Sequence, residues 1–174
     1  MNLVELQNKI HAQNKELGWW DEPRPFSTFV CLFHSELSEA MEGDRKGLMD
    51  DHLPQYPMAS VEVADFVIRV LDWYGSVDVG IIEFSIRVYD NWDFCDYIAM
   101  IHQKVSAAYY FKEIADTDFC EVNEELSEAL MLCQSLYYTK GWNLEQIILE
   151  KVEYNKHRAD HKRENRAKVG GKKY

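Results

Sequence analysis

"FHSELSEAMEG", residues 33–43, places Glu36, Glu39 and Glu42 three apart in an otherwise apolar, helix-prone run. Phe33, Leu37, Ala40 and Met41 recur at the helical period, so the stretch reads as an amphipathic helix whose polar stripe is a line of carboxylates. Side chains at i and i+3 point the same way and repel each other by a few tenths of a kcal/mol. One such row in an acidic chain is a solvated face. A second row, Glu62 and Asp65 within VEVADFV (61–67), changes that reading. Two antiparallel helices carrying ExxE and ExxD can face each other and bring four carboxylates to one point. Unscreened, that arrangement costs several kcal/mol, and a divalent cation removes the cost.

Outward from these rows the chain reads as nearly all helix. It has only four prolines and eight glycines, and long stretches follow the 3.6-residue period. Helices are expected near 3–17, 26–43, 59–74, 79–91, 95–114, 119–139 and 143–157. Gly18 ends the first, GWWDEPRP (18–25) is a loop, and Pro54 and Pro57 break the connection 43–57. The expected fold class is all-α, a helical bundle.

The chain also resembles itself. FHSELSEAM (33–41) aligns with IHQKVSAAY (101–109) at a shift of 68, sharing a His, a Ser and an Ala. EVADFVIRVLDWYGSVDVGII (62–82) aligns with ELSEALMLCQSLYYTKGWNLE (125–145), and RVYDN (87–91) with KVEYN (151–155). The order and spacing of these matches indicate two degenerate helical units forming a pseudo-dimer within one polypeptide. The organisation expected is a first unit at 1–92, a second at 93–158 and a basic tail at 159–174, all in one compact domain.

With 174 residues, 47% apolar and 28% charged, the composition is that of a soluble globular chain with a real core. No run approaches the roughly 18 apolar residues of a membrane helix. The start, MNLVELQNKIHAQNKE, lacks the pattern of a signal peptide, so the expected location is cytoplasmic, with no membrane partner. Cys31, Cys95, Cys120 and Cys133 form no CxxC and are read as reduced packing residues. Residues 156–174 hold 8 of the 19 Lys and Arg and 2 of the 30 acids, +6 against −17 for the rest. The acidic body disfavours a nucleic-acid partner, and a polyanionic small ligand suits the tail equally well.

An oxygen-only donor set, Glu36, Glu39, Glu62 and Asp65, favours a hard ion, Mg2+ or Mn2+. A di-iron bundle needs Glu-x-x-His pairs, and none of the six histidines has an acid three residues before it. Cys31-x-x-His34 has no partner pair, which leaves zinc without a ligand set.

ExxE, a spacer of about twenty residues, then ExxD, in an all-helical chain, resembles the MazG-like all-α nucleoside triphosphate pyrophosphohydrolases. NKELGWWDEPRPF, HSELSEAMEGDRKGLMDDHLP and YNKHRADHKRENRAKVGGKKY also read like phage and bacterial members of that family. The resemblance covers residues 1 to about 75 and 150–174. It implies hydrolysis of a nucleoside triphosphate at the α–β bond to monophosphate and pyrophosphate, in nucleotide-pool housekeeping. It assigns the ions to Glu36, Glu39, Glu62 and Asp65, with Glu36 chosen to orient the attacking water. Relatives made of one unit form dimers or tetramers, so a homodimer is a further expectation. Ser35 replaces the first of two adjacent acids often seen before the spacer pair. In the second copy Lys104 and Ala107 stand for Glu36 and Glu39, and Glu125 and Glu128 for Glu62 and Asp65, so one centre per chain is expected.

The family's terminal K…YN..R pattern assigns phosphate contacts to Lys151, Asn155 and Arg158. Arg87 and Asn91 keep the same spacing in the first copy, and which pair serves the acids depends on whether the halves exchange elements. Trp19 and Trp20 sit where an aromatic can stack on a base, with His11 and Asn14 lining the same cleft. His34 is read as a supporting or core residue, not a ligand. The tail, hinged at Gly170-Gly171, either closes over the phosphates or is disordered. The alternative function is an inactive helical nucleotide-binding or assembly module.

Overall fold

Helix α1 (Leu3–Glu16) begins where the Asn2 side chain accepts a hydrogen bond from the Glu5 N–H. It stops two residues before Gly18, whose φ of +81° only glycine adopts without strain. A computed structural model describes residues 2–77, 79–115, 117 and 119–172. Its further helices are α2 (Phe26–Lys46), α3 (Met58–Tyr74), α4 (Phe94–Glu113), α5 (Phe119–Lys140), α6 (Leu144–His157) and a single turn, α7 (Arg163–Arg166). No strand occurs among the described residues; Met49 and Pro57 form one isolated bridge. The fold is all-α, and no described helix is long and apolar enough to cross a membrane.

Two hairpins organise the bundle, α2 with α3 and α4 with α5, and α2 also packs on α4. Helix α3 is the central element: α1 and α6 both lie against it, and fourteen of its seventeen residues are buried. Two glycines set its distances to its neighbours. A Cβ on Gly43 would come within 2.9 Å of the Ala59 backbone N, and one on Gly75 within 2.4 Å of His11 Cβ. The α2–α3 hairpin and the α1–α3 crossing therefore close only because those positions lack side chains. The core runs from Phe33, Leu37, Phe66 and Leu71 to Ile101, Leu126 and Leu136. Tyr74 reaches from α3 into the second hairpin, where its hydroxyl donates to Asn123 Oδ1 at 2.7 Å.

The expected helix at 79–91 is absent. Residues 79–89 carry no regular structure and lie along α5, where Ser127 Oγ accepts from the Ile82 N–H at 3.0 Å and Ser135 Oγ from the Arg87 N–H at 3.2 Å. Ile82, Phe84, Ile86 and Val88 alternate with other residues, a period of two that does not suit a helix. The cysteines are free, but only Cys133 packs in the core; Cys31, Cys95 and Cys120 are exposed. The C-terminal segment forms a short 3-10 turn (Ala159–His161) followed by α7.

Candidate metal and polyanion site

Helix α2 carries Glu36 and α3 carries Glu62 and Asp65, and the hairpin sets one carboxylate oxygen of each within 4.8 Å of the others. Glu36 and Glu62 are buried and Asp65 is half-buried. Glu39, one turn along, is exposed and lines the same cavity without joining the cluster. Glu42 has left the row: it pairs with Arg45 and Lys46 at the surface.

The cluster is short of positive charge. Arg69 Nε donates to Glu36 Oε1 at 2.6 Å, and Lys151 Nζ lies 3.0 Å from Asp65 Oδ2. Burial, followed by the charges of Asp65 and Glu36, still pushes Glu62 up to about 9. Burial likewise raises Asp65; Lys151 opposes this and Glu36 adds to it. Three carboxylates this close, one of them held protonated at neutral pH, fit a divalent cation: the donors are all oxygen, and an ion would restore the charged form of Glu62.

Glu36, Glu39, Asp65 and Asp72 line a cavity of about 330 Å³ together with the cations Arg24, Arg69, Arg158 and Lys172. Asn14, Trp19, Asn155 and His161 also line it. The buried Arg24 Nε, Asn155 Oδ1 and His161 Nδ1 have no hydrogen-bond partner among the described residues. Burial, then Arg158 and Lys172, lowers His161 to about 4, so its imidazole is neutral at pH 7. Asp160 accepts from Arg158 Nε and Nη2 at 3.0 and 2.8 Å, and pairs with Lys172 at 2.9 Å.

The residues expected to contact ligand divide in three. Lys151, Asn155 and Arg158 come to the acids of the first hairpin because α6 packs on α3, although Lys151 is only 2% exposed and committed to Asp65. Arg87 and Asn91 are exposed on the connection before α4 and line no part of the cavity. His11, Asn14 and Trp20 converge on one carboxylate, Asp72. Its Oδ1 lies 2.9 Å from His11 Nδ1 and accepts from Trp20 Nε1 at 2.9 Å, while Oδ2 accepts from Asn14 at 2.8 Å. Trp20 stacks on Phe29, and Trp19 is covered on one face by Arg166, its ring centroid 3.6 Å from Cζ.

Sequence reasoning missed Arg69, Asp72 and Arg24. The signal for the first two was present: they lie four and seven residues after Asp65, on the stripe already marked by the acids. Nothing local marks Arg24, whose position depends on the rings beneath it.

At the positions that the sequence alignment sets against the acids, Lys104 Nζ lies 3.0 Å from Glu125 Oε2 and 2.5 Å from Glu128 Oε2. His34 and His102, paired in the sequence alignment, stack with Nδ1 atoms 2.7 Å apart. No protein-family model, curated protein or solved structure matches the chain.

Proposed function

We propose that the chain is a divalent-metal-dependent nucleoside triphosphate pyrophosphohydrolase of MazG-like type, with one centre in its first half. The observation that carries this reading is the Glu36, Glu62 and Asp65 cluster, deficient in positive charge, whose Glu36 and Asp65 line one cavity with Arg24, Arg158 and Lys172. Glu36, Glu62 and Asp65, with Glu39 at the rim, would hold Mg2+ or Mn2+. Bound there, the ion supplies charge to offset phosphate oxygens and a water of lowered pKa. The chain's own residues do the rest: Arg69 fixes Glu36, Lys151 fixes Asp65, and Arg158, Lys172 and Arg24 offer donors to the phosphates.

We read the two hairpins as a fused pseudo-dimer in which only the first keeps its centre. Equivalent residues of two related units touch each other only on the axis that relates them, and the His34–His102 stack is such a contact. Lys104, between Glu125 and Glu128, places an internal ammonium where the first half has room for an ion. Mg2+, housekeeping of the nucleotide pool, a cytoplasmic location and pairing of two copies belong to the same proposal.

The test is release of monophosphate and pyrophosphate from a panel of canonical and modified NTPs and dNTPs with Mg2+ or Mn2+. Turnover by wild type and Glu125→Gln, abolished in Glu62→Gln, supports the reading. Absence of turnover with every nucleotide and metal overturns it and favours a binding module.

A further inference from the structure

The α1–α2 loop and the C-terminal segment line a second cleft of about 430 Å³, which shares Trp19 with the first cavity. Arg24, Arg163, Arg166 and Lys172 line it against only Asp21 and Glu22, in a chain of net charge −11. Two of these cations are paired, Arg163 with Asp21 at 2.7 Å and Lys172 with Asp160 at 2.9 Å. Arg24 and Arg166 form no ion pair among the described residues, and the Nε of each is buried with no hydrogen-bond partner.

Both guanidinium groups are nevertheless held firmly. Arg24 Cζ lies 4.9 Å from the Trp20 ring centroid and 4.4 Å from that of Phe29, rings that stack on each other. Arg166 lies on Trp19, and its Nη1 donates to the Leu17 carbonyl at 3.2 Å. The segment carrying Arg166 seats directly on Gly18, where a Cβ would come within 2.8 Å of Arg163 Nε. Burial works against the charge of Arg24; Asp72 offsets part of this, and Arg166 and Arg69 add repulsion. Asp72 forms no ion pair with Arg24 among the described residues; its oxygens bond to His11, Asn14 and Trp20.

A guanidinium held against an aromatic ring keeps N–H groups that the ring does not satisfy, and these match the oxygens of a phosphoryl group. Two such guanidinium groups, fixed in advance and with Asp72 and Asp21 acting on them only at a distance, are costly unless an anion completes them. We propose that this cleft is an oxyanion site for a phosphoryl group, held by Arg24 and Arg166 without help from a divalent cation. The site shares Arg24 with the phosphate contacts of the proposed function, but no acid of the cluster and no metal takes part in it. Trp19, Arg24 and Lys172 line both cavities, so the phosphoryl group can come from the tail of a nucleotide in the inner cavity or from free pyrophosphate.

The test is calorimetric titration of the full chain with inorganic pyrophosphate in EDTA, which removes hydrolysis from the experiment. Saturable binding is expected, weakened roughly tenfold or more in Arg24→Gln and in Arg166→Gln. Arg45→Gln, the same charge change at the exposed end of α2, should leave it unaltered. Circular dichroism checks folding, and if Arg24→Gln does not fold, Arg166→Gln decides. No saturable binding by wild type, or equal weakening in Arg45→Gln, overturns the site. With a nucleoside triphosphate in the same buffer, competition with pyrophosphate assigns the phosphoryl group to the nucleotide tail and simultaneous binding assigns it to the free anion; both uphold the site.

Discussion

Replacing Lys151 with methionine removes the ammonium beside the acid cluster while keeping a side chain of similar length. Lys151 is 2% exposed, with Nζ 3.0 Å from Asp65 and 4.0 Å from the buried Asp50. Burial opposes its charge, but Asp65, then Asp50 and Glu62, outweigh burial and raise its pKa above the ordinary lysine value. Asp50 has other support, since its Oδ1 accepts from the His52 and Leu53 N–H groups. Asp65 would be left with Arg69 as the nearby cation that opposes its raised pKa. Breaking a buried pair from one side costs about 3–5 kcal/mol. At roughly 2–4 °C per kcal/mol for a chain of this size, Lys151→Met should lower the melting temperature by about 10 °C in EDTA. Millimolar Mn2+ should then stabilise the variant more than wild type, because the ion takes over the lost charge. Adding Asp65→Asn should recover part of the loss, since no carboxylate remains opposite the methionine. Thermal unfolding followed by circular dichroism reads all of these. A loss below about 1 kcal/mol in EDTA, or equal stabilisation of both proteins by Mn2+, would refute the picture of a charge-deficient cluster relieved by a cation.

Glu62 predicts a pH dependence: its pKa is about 9 folded against 4.5 ordinarily, so the folded state binds more protons between those values. Its contribution is fully present below about pH 4.5 and is lost as pH rises toward 9, with a slope of up to about 1.4 kcal/mol per unit; in urea unfolding with EDTA, Glu62→Gln should flatten that slope, and parallel profiles would count against it. Lys104→Glu sets a third carboxylate against Glu125 and Glu128, and should destabilise the metal-free protein by about 3 kcal/mol and recover with Mn2+; destabilisation without recovery would break the equivalence of the two hairpins. Asp72→Ala strands His11, Asn14 and Trp20 and should cost about 3 kcal/mol with a red shift of tryptophan emission, whereas unchanged emission would separate Trp20 from that carboxylate.

Six of the seven expected helices were legible because each buries a stripe at the helical period between clear stops, such as Gly18 before α2 and Pro54 and Pro57 before α3. The seventh failed because the helical period was extended over 79–91, where alternating Ile82, Phe84, Ile86 and Val88 favoured a non-helical chain. The acid rows were readable as i, i+3 pairs, and three of their four members meet. What periodicity cannot carry is contact between distant segments. That α6 brings Lys151 to Asp65, that Asp72 gathers three residues from α1 and its following loop, and that the tail closes on Trp19 all depend on packing across more than fifty residues of chain.

The central claim is that Glu36, Glu62 and Asp65 form a divalent-cation centre, and Mn2+ titration followed by electron paramagnetic resonance tests it most directly. Wild type and Glu128→Gln should deplete free Mn2+, while a Glu62→Gln/Asp65→Asn double variant that keeps its helical circular dichroism should not. Equal Mn2+ uptake by wild type and the double variant, or none by wild type, would contradict it.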